Sequence, residues 1–103
     1  MANTLSQSVL KNTQMPEQTI RICNKLGLHA RASAKLATEA SNFKSEIQLI
    51  KGTIAVNCKS IMGIMMLAAC KGTELQLRAE GDDADGAITA ITRLVNARFG
   101  EAE

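Results

Sequence analysis

Aromatic side chains are almost missing from this chain: two phenylalanines, no tryptophan and no tyrosine in 103 residues. Proteins that grip single-stranded nucleic acid stack its bases on aromatic platforms, so that class is disfavoured. The core must instead be aliphatic. An excess of one charge is missing too: Lys+Arg 12 against Asp+Glu 10 leaves +2, too balanced for a nucleic-acid footprint. No stretch approaches the ~20 apolar residues of a membrane span, so no membrane insertion is expected. The first residues carry no apolar signal core, so no secretory signal is expected either. Cysteines are few and odd in number (Cys23, Cys58 and Cys70) with no CxxC spacing. Each lies in an apolar or strand-like context and reads as a buried free thiol, which implies a reducing cytoplasm. One histidine with scattered thiols makes a poor zinc site, so no metal is expected.

What is present is a chain that is 46% hydrophobic and of single-domain length. Residues 1–16 are polar and aperiodic apart from Leu5, Val9 and Leu10, which suffice for one weak helical turn. They read as a flexible N-terminal extension to a domain over residues 17–103, with Met15 a candidate start of the folded unit.

Thr19-Ile20-Arg21-Ile22-Cys23 alternates at period two and predicts a strand. Asn24 and Gly27 break it and open a loop. A helix is expected from Ala30 to Ser41, with Ala32, Leu36, Ala40 and Phe43 on one face. Ser45–Ile50 and Thr53–Asn57, joined by Lys51-Gly52, predict a hairpin. Ser60 is a candidate N-cap for an apolar helix from Ile61 to Cys70, with Gly72 at its C-terminal stop. Glu74–Glu80 alternates cleanly as a fourth strand. Gly81-Asp82-Asp83 is expected to cap a last helix reaching Phe99, whose Ala84, Ala87, Ile88, Ile91, Leu94 and Val95 follow a 3.6 period. The order β-α-β-β-α-β-α points to an α+β open-faced sandwich: a four-stranded antiparallel sheet with three helices on one face.

The single histidine, His29, stands where strand-like alternation stops and helical spacing starts. Arg21, Lys25, Arg31 and Lys35 fall between the first two acidic residues, Glu17 and Glu39, so its surroundings are locally positive. Neutral imidazole is a competent nucleophile at neutral pH. A helix start offers unpaired N–H groups and the positive end of the helix dipole to an anion. On this reading His29 is the N-cap, the N–H groups of Ala30, Arg31 and Ala32 face a phosphoryl group on its ring, and the Arg31 guanidinium adds a planar donor. Gly27 lets the loop turn. The plainer reading is a histidine that caps a helix or sits on the surface, with Arg31 a solvated helix residue.

Gly27-Leu28-His29-Ala30-Arg31, preceded by Asn24-Lys25 and followed by an alanine-rich helix, resembles the active-site segment of the HPr family. These are the histidine-containing phosphocarriers of the bacterial phosphotransferase system, of HPr or NPr type. Lys59-Ser60-Ile61-Met62-Gly63-Ile64-Met65-Met66-Leu67 resembles the family's regulatory-serine helix. The likeness spans about Gln18 to Gly100. It implies that His29 takes a phosphoryl group on Nδ1 from phosphorylated Enzyme I, originating in phosphoenolpyruvate. It also implies that Arg31 contacts the phosphate and that an IIA protein or domain receives it, in sugar uptake or nitrogen-related regulation. The protein is then a stoichiometric carrier rather than an enzyme, a cytoplasmic monomer that needs no cofactor. Ala32 departs from the proline many members carry there; alanine adds an N–H donor and keeps high helix propensity.

Ser60 reads first as a helix cap; the resemblance adds phosphorylation by an HPr kinase/phosphorylase. Ile61, Met62 and Met65 are candidates for an adaptable docking patch beside His29, since methionines accommodate differing partners. Lys35, Lys59 and Arg31 would ring it. Two other classes stand beside the carrier. One is a regulatory binding module controlled through Ser60 that acts by docking alone. The other is a small-ligand or metal-binding domain using His29 and Cys23.

Overall fold

Alternation decides the sheet. Along Glu74–Glu80 (β4), Leu75, Leu77 and Ala79 are buried while Glu74, Gln76 and Glu80 are exposed, because successive strand side chains point to opposite faces. The computed structural model describes residues 16–103, and in it β4 lies second in a four-stranded antiparallel sheet. Its neighbours are β1 (Glu17–Arg21) and β2 (Glu46–Lys51), with β3 (Ile54–Asn57) outside β2, giving the order β1-β4-β2-β3. Three helices cover one face: α1 (Ala30–Ser41), α2 (Ile61–Met66) and α3 (Ala84–Asn96). The order is β-α-β-β-α-β-α, as the pattern predicts. Of the expected extension over residues 1–16, only Pro16 is described; its carbonyl accepts from Ala79 N at 3.1 Å. The weak turn at Leu5, Val9 and Leu10, and Met15, lie outside the described residues.

The aliphatic core forms a single cluster between sheet and helices. Ile20, Ile47, Leu49, Leu75 and Leu77 enter it from the strands, and Ala32, Leu36, Ala40, Ile64, Ala87, Ile91 and Val95 from the helices. Burying each leucine or isoleucine contributes about 1.5–3 kcal/mol. On the opposite face Arg21 pairs with Glu74 at 2.5 Å and Arg78 with Glu17 at 2.6 Å, each directly across the β1–β4 ladder. Such exposed pairs are worth about 0.2–1 kcal/mol, so packing rather than charge holds the sheet.

Three expectations from the sequence need correction. The apolar run does not stay helical to Cys70. α2 stops at Met66, Leu67 caps it, and Ala68 takes a left-handed φ of 50°. Leu67 and Ala69 are thereby buried on the way back to the sheet, and Gly72 (φ 92°) belongs to the turn into β4 rather than to a helix end. The last helix ends at Asn96; Arg98 and Phe99 are both left-handed (φ 57° and 55°) and fold the Phe99 ring into the core, where it is 1% exposed. Phe99 follows Val95 by four residues, so helical spacing alone cannot distinguish a further helical turn from this reversal. Finally, Cys70 is exposed, Cys23 half-buried and only Cys58 fully buried; burial pushes the Cys58 thiol up to about 12, which keeps it protonated and inert.

Asp83 occupies the N-cap position of α3 but makes no side-chain cap. Its carboxylate instead accepts from Lys44 N at 2.8 Å, from Ser45 N at 3.0 Å and from the Ser45 hydroxyl, tying the start of β2 to α3. The Ser45 hydroxyl and then the Lys44 N–H hold its carboxyl below the usual aspartate range.

Candidate functional site

His29 is the N-cap of α1, with extended backbone (φ −74°, ψ 179°). Its carbonyl accepts from Ser33 N at 2.8 Å, closing the first helical turn. Among the described residues, the backbone N–H groups of Ala30, Arg31 and Ala32 have no acceptor. These are the orphan donors every helix start leaves, and no acidic side chain occupies this turn. Arg31 is exposed, and its guanidinium makes no ion pair among the described residues. An open depression of about 720 Å³ lies over this helix start, lined by Lys25, Leu26, His29, Ala30, Arg31, Glu101, Ala102 and Glu103. An anion entering it would meet free N–H groups, the helix dipole and one uncommitted guanidinium.

The loop that carries His29 is pinned from below. Leu28 N donates to Ala69 O at 2.9 Å, and the Ser33 hydroxyl donates to Leu28 O at 3.1 Å. Gly27 has φ 68°, and a Cβ there would stand 2.5 Å from Ala69 O. The segment that leaves α2 early therefore supplies the floor of the His29 loop.

One site residue, Glu101, has no local signature in the sequence, and its partner Asn24 is marked there only as a loop breaker and as part of the His29 segment. Glu101, 72 residues from His29, places Oε2 2.5 Å from His29 Nε2. Its other oxygen accepts from Asn24 Nδ2 at 3.0 Å. Asn24 is fully buried and also donates from Nδ2 to Gly27 O at 2.9 Å. The reversal at Arg98 and Phe99 brings Glu101 over the ring, and the tail is held down by Lys25 N donating to Glu103 O and by Lys35 Nζ donating to Phe99 O at 2.7 Å. The Asn24 hydrogen bond, followed by the His29 hydrogen bond and charge and the Lys35 charge, holds the Glu101 carboxyl below the usual glutamate range against partial desolvation. The acidic character of the chain's end is visible in the sequence; its return to His29 is not.

At the start of α2 the Ser60 hydroxyl accepts from Gly63 N at 3.0 Å, a regular N-cap. Ile61 (44%), Met62 (74%) and Met65 (41%) are exposed. So are Met66 (76%) and, in the His29 loop, Leu26 (68%), two residues that the sequence pattern does not mark out. Lys59 and Lys35 are not free cations: Lys59 Nζ donates to Phe43 O at 2.8 Å and Lys35 Nζ to Phe99 O. Among the described residues no cluster of three His, Cys, Asp or Glu side chains is arranged to hold a metal, and no helix is long and apolar enough to cross a membrane.

A histidine at a helix start, on a four-stranded antiparallel sheet with three helices on one face, defines an HPr-like architecture. The family model for the PTS HPr component phosphorylation site matches residues 16–97, and the chain belongs to that HPr family of bacterial phosphotransferase-system phosphocarriers. The phosphocarrier protein HPr of Neisseria meningitidis serogroup A is 55% identical over 89 residues, 86% of this chain and all of the relative. The phosphocarrier protein NPr of Shewanella violacea is 46% identical over 86 residues, 84% of this chain and 94% of the relative. Among solved structures, HPr-C-His from Thermoanaerobacter tengcongensis superposes with a TM-score of 0.83 at 48% identity, covering 85% of this chain and 99% of that one.

Proposed function

We propose that the domain over residues 17–103 is a stoichiometric phosphocarrier in the cytoplasm. His29 accepts a phosphoryl group from phosphorylated Enzyme I, itself charged by phosphoenolpyruvate, and passes it to an IIA protein or domain. The observation that carries this reading is the histidine at the α1 N-terminus beside three N–H groups and a guanidinium that have no partner among the described residues. In the step, the Nδ1 lone pair attacks phosphorus while the bond from phosphorus to the donor breaks. The Ala30, Arg31 and Ala32 N–H groups and Arg31 bind the phosphoryl oxygens, and charge stabilisation with in-line positioning supplies most of the catalysis. Ile61, Met62 and Met65, with the equally exposed Met66 and, in the His29 loop, Leu26, form the docking surface, and phosphorylation of Ser60 by an HPr kinase/phosphorylase would place about −1.5 to −2 charges against it.

The test is incubation of the full chain with phosphoenolpyruvate and Enzyme I. One acid-labile phosphate per chain at His29 is expected, and none in His29→Ala; equal labelling of that variant overturns the proposal.

A further inference from the structure

We infer that Glu101, held by Asn24, is a positioning residue that keeps the His29 proton on Nε2 and leaves Nδ1 as the free nucleophilic nitrogen. The inference rests on reading His29 as the phosphoryl acceptor. A carboxylate can only accept hydrogen bonds, so the ring nitrogen 2.5 Å from Glu101 Oε2 must be the donor. A neutral imidazole has one N–H, so a proton held at Nε2 leaves a lone pair at Nδ1. The carboxylate cannot swing freely, because its second oxygen is occupied by the amide of a fully buried Asn24. Asn24 is anchored in turn to Gly27 O, in the loop packed against Ala69. The ring is thus oriented by a chain of contacts running back to Ala69 in the connection between α2 and β4, the kind of supporting arrangement that fixes a tautomer in metal-binding and catalytic histidines.

The same contact serves the transfer without moving a proton. As the Nδ1–phosphorus bond forms and the donor bond breaks, the ring becomes cationic with its proton still on Nε2, shared with the Glu101 carboxylate. On onward transfer the Nδ1–phosphorus bond breaks and its electron pair returns to Nδ1. A carboxylate beside the ring stabilises the cationic phosphorylated form, while Lys25, Arg31 and Lys35 around the depression and the tail offset its repulsion of the incoming dianion.

Glu101→Gln separates this from a merely structural role. Asn24 Nδ2 donates toward residue 101, so the Gln carbonyl must turn to Asn24 and its amide N–H must face His29 Nε2. That arrangement selects the tautomer protonated at Nδ1 and blocks the nucleophile. The experiment measures the imidazole tautomer of the full chain by long-range 15N–1H NMR at a pH where the ring is neutral, alongside single-turnover transfer from phosphorylated Enzyme I. The expected result is an Nε2–H ring in the parent, a shift toward Nδ1–H in Glu101→Gln, and transfer slowed on the order of 10–100-fold. Glu101→Ala should lose the tautomer preference and slow less than Glu101→Gln. Unchanged tautomer and unchanged transfer in both variants overturn the inference while leaving phosphorylation of His29 intact. A parent chain that takes no phosphate overturns the functional reading instead, and the tautomer shift still decides the pairing.

Discussion

Gly27 and Ala69 stand so close that no other residue fits at position 27: a Cβ would meet Ala69 O at 2.5 Å, and φ is 68°. Gly27→Ala therefore combines a left-handed backbone, about 1–2 kcal/mol for an L-residue, with a backbone clash that displaces the His29 loop. Gly52 is the matched control, with φ 61° and nothing within 4 Å of where a Cβ would stand. Urea unfolding should show Gly52→Ala losing only the backbone cost and Gly27→Ala clearly more, with slowed phosphoryl transfer in Gly27→Ala alone.

Acid should weaken the fold through two carboxylates. Asp83 is held below its ordinary range by the Ser45 hydroxyl and the Lys44 N–H, and Glu101 by Asn24 and then His29. A carboxyl whose folded pKa is depressed contributes stability above its unfolded pKa, near 3.9 for Asp and 4.3 for Glu, and that contribution is lost as pH falls through the folded value. Asp83→Asn should be less stable than the parent at neutral pH, and the gap should narrow as pH falls below the ordinary aspartate value and close as it passes through the depressed folded one. Urea melts from pH 7 to pH 2.5 test this; a gap independent of pH would detach Asp83 from the acid limb.

Arg31 is exposed and has no ion-pair partner among the described residues, so its removal should leave the fold alone. Arg31→Ala is expected to slow transfer from phosphorylated Enzyme I with stability changed by less than about 0.5 kcal/mol. Arg31→Lys should recover part of the rate, because the charge returns without the bidentate fork. Transfer at the parental rate in Arg31→Ala would remove this residue from the site.

The α2 surface yields a paired prediction. Ser60→Ala removes the acceptor for Gly63 N and should cost about 0.5–2 kcal/mol by thermal or urea unfolding. Met62→Glu, at a position 74% exposed, should leave stability within about 0.5 kcal/mol while weakening calorimetrically measured binding to Enzyme I. Undiminished binding would place the docking surface elsewhere. Incubation with ATP and an HPr kinase should give an acid-stable phosphate in the parent and none in Ser60→Ala.

Much of this protein was readable from local pattern. Period two in Glu74–Glu80 and period 3.6 in Ala84–Val95 placed strand and helix, because burial on one face leaves its repeat in the sequence. Gly27 to Arg31 carried the candidate nucleophile, the helix start and the arginine within five residues, so the proposed chemistry could be framed there beside the plainer reading of a helix cap. Ser60 announced its cap three residues before Gly63 N. What escaped was set by contacts between distant segments. Ala68, Arg98 and Phe99 are not residue types that favour a left-handed backbone, and only Gly100 (φ 80°) beside Phe99 hints at a turn; the left-handed residues go with burial of Leu67, Ala69 and Phe99. Those two reversals decide the site, since one brings Ala69 under Gly27 and the other brings Glu101 onto His29. The sequence by itself determined which residue could carry a phosphoryl group and where a helix would present it. Only the tertiary structure decided which ring nitrogen is held and which is left free, because that choice belongs to a carboxylate 72 residues away, delivered by packing rather than by any local preference.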